Sequence, residues 1–111
     1  MVYFNVYYLE GATQFMKSLD QKSYDKVKHV IKTARENLDP ELFKKLCDDI
    51  WEFRIHFAKS QIRLLAFWDK TDRENTLVVA THGFIKKVDK VPNKEIRRAL
   101  HFRQKYFESK Q

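Results

Sequence analysis

The chain has 111 residues, a formal net charge of +7 and a sequence pI of about 9.5, which fits one domain spanning 1–111. Apolar residues make up 43% of it, enough for a real core, so wholesale disorder is excluded. A single cysteine, Cys47, excludes an intramolecular disulfide and a cysteine-rich zinc site, and the positive charge favours an acidic partner.

The N-terminal run MVYFNVYYLEG lacks a basic leader and a small-residue cleavage site, so we read 2–9 as a strand rather than a signal peptide. Phe15, Met16 and Leu19 give a short helix from Ala12 to Leu19. A second helix, capped by Asp20 or Ser23, carries Tyr24, Val27, Val30, Ile31, Ala34 and Leu38 at spacings of three and four. Asp39-Pro40 ends it. The segment 41–49 is mixed and reads as a turn of helix or a loop.

The period then changes to two. Trp51, Phe53, Ile55 and Phe57 alternate with Glu52, Arg54 and His56, the signature of a half-buried strand. Residues 61–68 and 76–82 supply two more strands, and the polar Asp69–Asn75 makes a hairpin connection. Pro92-Asn93 opens a last helix that runs to about Glu108, with Ile96, Ala99, Leu100, Arg103 and Phe107 as its inner stripe. The order β-α-α-β-β-β-α predicts an α+β domain. Its core is a small twisted antiparallel sheet with the two early helices on one face, and the other face is left more open. No stretch approaches the length of a membrane span, so the expectation is a reduced, cytoplasmic protein.

A two-residue turn at Ala58-Lys59 puts Phe53 opposite Leu64, Ile55 opposite Ile62 and Trp51 opposite Ala66, all on one apolar face. The other face then pairs His56 with Gln61, Glu52 with Leu65, and Arg54 with Arg63. A one-residue slip would mix the faces, which supports this register. Like charges directly across a sheet are destabilising. Either Glu52 neutralises the arginine pair, or both guanidiniums aim at a phosphate, or Glu52 orients one of them. Lys86 and Lys87 follow the last strand on opposite sides of an extended chain, so one of the two reaches this face. Lys90 extends the positive region, Lys59 sits in the turn, and His82 could donate to a phosphate; these three are candidate RNA contacts.

Four histidines, His29, His56, His82 and His101, lack ligand-like spacing, and acids are sparse in the strand region. The expectation is no metal and no cofactor. Metal-free RNA cleavage suits such a face. A ribose 2′-hydroxyl attacks the adjacent phosphate, and cations stabilise the phosphorane; the residue that carries the proton is left open.

The runs W-E-F-R, I-R-L-L-A-F-W, H-G-F-I-K-K and V-P-x-x-E-I-x-x-A, with this element order, resemble the RelE/ParE toxin superfamily, and within it the phage-related HigB-type toxins. The resemblance implies a ribosome-dependent mRNA endoribonuclease. A cognate antitoxin, commonly a helix-turn-helix protein, silences such a toxin. Carried over by position, Arg63 matches the arginine used at the scissile phosphate, Lys86 or Lys87 a second basic residue after the last strand, and Arg54 the arginine of W-E-x-R. Tyr106 is the one late tyrosine, in a helical position unlike that of RelE. ParE relatives share the fold and poison DNA gyrase, so a non-enzymatic gyrase inhibitor is the alternative, and a basic nucleic-acid-binding module without catalysis is a third.

Overall fold

The computed structural model describes residues 1–71 and 76–110. In chain order it has β1 (Asn5–Tyr8), α1 (Glu10–Lys17), α2 (Gln21–Asn37), β2 (Phe43–Cys47), β3 (Ile50–Phe57), β4 (Ser60–Asp69), β5 (Leu77–Lys86) and α3 (Asn93–Glu108). One sheet holds the strands in the order β1-β5-β4-β3-β2. The central pairings are antiparallel, and β1 joins one edge parallel to β5. Most of the expected 69–75 hairpin loop lies outside the described residues. Among those described, no helix is long and apolar enough to cross a membrane.

The β3–β4 register is the one that side-chain parity dictates: Phe53 faces Leu64, Ile55 faces Ile62, Arg54 faces Arg63 and Phe57 faces Ser60. Ala58 and Lys59 close the hairpin with φ of 50° and 68°. A two-residue hairpin turn of this hand needs positive φ at both positions, because only that twist matches the strands. Neither residue is glycine, so the turn holds some strain, and the apolar pairing behind it outweighs that strain.

Two layers cover the sheet. On one face α1 and α2 pack Ala12, Met16, Val27, Val30, Ile31 and Ala34 against Phe53, Ile55, Ile62, Leu64, Val78 and Ala80. Each large apolar side chain buried this way contributes roughly 1.5–3 kcal/mol. Leu38, expected in the α2 stripe, instead forms the left-handed C-cap at φ 49° and is 44% exposed. On the other face α3 lays Ala99, Leu100 and Phe107 over Leu65, Phe67 and Val79. That face is therefore closed along the second half of β4 and open only where α3 begins.

The segment read as a loop or helical turn is the edge strand β2. Phe43 stacks on Phe53 and Trp51 at centroid distances of 4.4 and 5.0 Å. Lys44 and Lys45 are exposed, and a register shift follows Lys45. Lysines and a bulge on an edge strand block further pairing, and they also erase the period-two pattern.

A second bulge shapes the site. β4 pairs Ala66 with Ala80 but Leu65 with His82, leaving Thr81 as the extra residue. Before the bulge, Val78 and Ala80 point to the α1–α2 layer. After it, His82, Phe84 and Lys86 point to the α3 side, and Gly83 turns beneath Phe15 of α1. A Cβ at Gly83 would overlap that ring. Gly83→Val is therefore expected to destabilise the fold by about 1–3 kcal/mol, read as a lower urea midpoint at unchanged slope.

Candidate nucleic-acid interface

Arg54 and Arg63 lie side by side where α3 leaves the sheet uncovered. Arg63 is fixed from three directions. Its Nε lies 2.8 Å from Glu52 Oε1, with both side chains only 4% exposed. The N–H is not aligned on that oxygen, so this contact is chiefly coulombic. Nη1 donates to the Ile62 carbonyl and Nη2 to Gln61 Oε1, each at 3.1 Å. Burial lowers the Arg63 pKa, Glu52 opposes that shift and Arg54 adds to it; an arginine nonetheless stays charged at any working pH. The Arg54 side chain is half-buried and has no hydrogen-bond or ion-pair partner among the described residues. Glu52 thus orients one arginine and leaves the other free for an outside anion.

The two arginines form a wall shared by two grooves. One groove, of about 340 Å³, lies toward α3 and adds Lys44, Lys86 and Lys90 to the arginines. Its five cations face two acids, Glu52 and Asp89, and Glu52 is already paired with Arg63. The start of α3 opens onto it at Asn93, so the partial positive charge of a helix N-terminus adds to the field. The other groove, of about 390 Å³, lies toward α2, and Lys26, Glu41, His56 and Gln61 complete its lining. Planar guanidiniums at the head of a cationic trough can hold a phosphate by paired hydrogen bonds.

Lys86 is the lysine that shares the arginine face: it sits opposite Gln61 in β5, and its Nζ donates to the Asp89 carbonyl at 2.9 Å. Lys87 lies past the end of β5, exposed and outside both grooves. Lys90 lines the α3 groove, and Lys59 stands at the exposed hairpin tip, away from both. His82 corrects the expectation of an RNA contact. It is 1% exposed, and its Nε2 meets Glu95 Oε1 at 3.1 Å while Nδ1 meets Thr81 Oγ1 at 3.0 Å. Burial lowers its pKa, with Glu95 opposing. It ties the first turn of α3 to the sheet.

Tyr106 lies far from the arginines. Its hydroxyl donates to Asp69 Oδ2 at 2.6 Å, and Asp69 is six residues along β4 from Arg63, roughly 20 Å at strand rise. Asp69 also accepts from Lys110 Nζ at 2.7 Å and from the Thr71 N–H and hydroxyl at 2.9 and 2.6 Å. This network closes the far end of α3 onto β4. Lys26, Lys44, His56 and Asn93 join the grooves without having stood out in the sequence as site residues, because each reads locally as an ordinary exposed polar position. No group of three or more His, Cys, Asp or Glu is arranged to hold a metal ion among the described residues.

The family model "Phage derived protein Gp49-like (DUF891)" matches residues 14–104. Comparison with curated proteins finds no match. Among solved structures, a double arginine-to-alanine mutant of the E. coli toxin RelE in the free state aligns with a TM-score of 0.61 at 19% identity, covering 93% of this chain and 98% of that one. The intact E. coli RelBE toxin–antitoxin complex aligns with a TM-score of 0.55, also at 19% identity, over 78% of this chain and 99% of its counterpart. The motif resemblance to the RelE/ParE superfamily is thus matched by the fold. The chain belongs to the phage-derived Gp49-like family, and its backbone has the RelE fold.

Proposed function

We propose that this protein is the toxin of a type II toxin–antitoxin system, of the HigB type, and acts in the cytoplasm as a ribosome-dependent mRNA endoribonuclease. The observation that carries the reading is the Arg54–Arg63 wall, with one guanidinium anchored by a buried carboxylate and the other uncommitted. A sheet built only for stability gains nothing from two arginines directly opposed.

In this reading the scissile phosphate lies against Arg54 and Arg63, with Lys86 at the mouth of the α3 groove. Attack by the 2′-oxygen builds a dianionic phosphorane, and fixed cations stabilise it more than they stabilise the ground-state monoanion. Lys90, and beyond it Lys59 and Lys87, would follow the RNA backbone by charge alone. The cognate antitoxin, of helix-turn-helix type, would silence the protein; the partner in the RelBE complex is an antitoxin of a protein with the same fold.

Induced expression is expected to arrest growth and to produce new mRNA 5′ ends inside reading frames. A reporter transcript stripped of its start codon should stay intact in the same cells. Arrest with intact mRNA and with inhibited DNA supercoiling by the purified protein would instead favour a gyrase inhibitor and overturn the reading.

A further inference from the structure

The arginine wall has two sides, and the function proposed above uses only the α3 side. The α2-side groove is built from different elements: Lys26 from α2, Glu41 from the turn before β2, His56 from β3 and Gln61 from β4, with Arg54 and Arg63 common to both grooves. A strand of RNA bound across the wall has phosphates on both sides of the scissile one. Lys26 is the cation the α2 side adds for the neighbouring phosphate.

His56 is the group in that lining suited to move a proton. Arginine does not deprotonate in proteins, and a lysine ammonium has no acceptor, whereas an imidazole exchanges protons near neutral pH. Among the other histidines, His82 is buried under α3. His29 and His101 lie on the exposed sides of α2 and α3, outside both arginine grooves. His56 is exposed and pairs with Gln61, next to the arginine pair on the same face. The charged groups around its groove are Lys26, Glu41, Arg54 and Arg63. Glu41 is the competing proton acceptor.

We infer that the α2-side groove is a second phosphate subsite for the same RNA strand, and that His56 is the catalytic residue that takes the 2′-hydroxyl proton. This rests on the endoribonuclease reading. The O–H bond of the 2′-hydroxyl breaks and its proton passes to the imidazole. The 2′-oxygen–phosphorus bond forms and the phosphorus–5′-oxygen bond breaks. A water molecule protonates the leaving 5′-oxygen, and the imidazolium returns its proton to solvent. The products are a 2′,3′-cyclic phosphate and a 5′-hydroxyl.

The test is single-turnover cleavage on mRNA-programmed ribosomes, paired with salt titrations of binding to a ten-nucleotide single-stranded RNA. His56→Gln should slow cleavage by about 100-fold or more and bind the oligonucleotide within twofold of wild type. Glu41→Gln should slow cleavage far less than His56→Gln does. Lys26→Ala should reduce the slope of log affinity against log salt by about 0.7, one single-strand phosphate contact. Unchanged cleavage by His56→Gln, or a large loss with Glu41→Gln instead, overturns the role of His56. An unchanged slope for Lys26→Ala overturns the subsite. If wild type leaves the mRNA intact, the endoribonuclease reading falls and the role of His56 with it, while the oligonucleotide titration still decides whether Lys26 meets a phosphate.

Discussion

Arg54→Ala is expected to slow RNA cleavage by at least about 100-fold while leaving stability within about 0.5 kcal/mol of wild type. Arg63→Ala is expected to lose cleavage and about 3–5 kcal/mol of stability together. The difference follows from Glu52. Its carboxylate is buried against Arg63, so removing Arg63 strands a charge, whereas removing Arg54 strands nothing and relieves a like-charge contact. For a domain of this size several kcal/mol is a large share of the total. Loss of toxicity in Arg63→Ala cells alone would therefore be ambiguous between unfolding and lost chemistry. The double replacement Glu52→Leu/Arg63→Met removes both charges and is expected to recover most of the stability without recovering cleavage. Urea titrations of the four proteins beside their cleavage rates separate the two effects.

The second large effect lies at the other end of α3. Asp69→Ala is expected to destabilise the protein by about 3 kcal/mol at pH 7, because the carboxylate accepts from Tyr106, Lys110 and Thr71 while 1% exposed. Burial pushes the Asp69 pKa up. The hydrogen bonds from Lys110, Thr71 and Tyr106 outweigh it and hold the carboxyl well below the usual range. A carboxyl with a depressed native pKa contributes stability that is fully present above its unfolded value, about 4, and is lost as pH falls below that toward the native value. Wild type should therefore lose stability between pH 5 and pH 2 more steeply than Asp69→Ala does. The gap between their urea midpoints should narrow across that range. A constant gap would show that Asp69 acts by packing rather than by charge. Burial, followed by the bond to Asp69, raises the Tyr106 pKa, so the phenol stays a donor throughout.

Much of this architecture is legible in the residues, and the exceptions have physical causes. Trp51, Phe53, Ile55 and Phe57 fix the hairpin register because a slip of one would mix the faces and turn either Arg63, or Arg54 and Glu52, under α1 and α2. From that register alone Arg54 meets Arg63. The strand Phe43–Cys47 is not legible, because an edge strand protected by Lys44 and Lys45 has no alternating pattern. The choice between Lys86 and Lys87 is hidden by the bulge at Thr81, which reverses the parity of everything after it. Parity counted from Val78 and Ala80 would send Lys86 to the α1–α2 face. The same bulge gives H-G-F its logic: His82 turns in to meet Glu95, Gly83 admits Phe15, and Phe84 stands opposite Arg63. His82 looked like a surface donor because nothing local announces that α3, beginning eleven residues later at Asn93, will cover it. His56 and Lys26 come together only through the packing of α2 beside the hairpin.

The most direct measurement is single-turnover incubation of purified protein with ribosomes stalled on a defined mRNA, followed by mapping of both new ends. The prediction is cleavage within the ribosome-bound stretch that leaves a 2′,3′-cyclic phosphate and a 5′-hydroxyl, slowed at least about 100-fold in Arg54→Ala. Intact mRNA with wild-type protein, or equal rates for wild type and the folded Arg54→Ala variant, would contradict the claim that the two-arginine wall is the site of RNA cleavage.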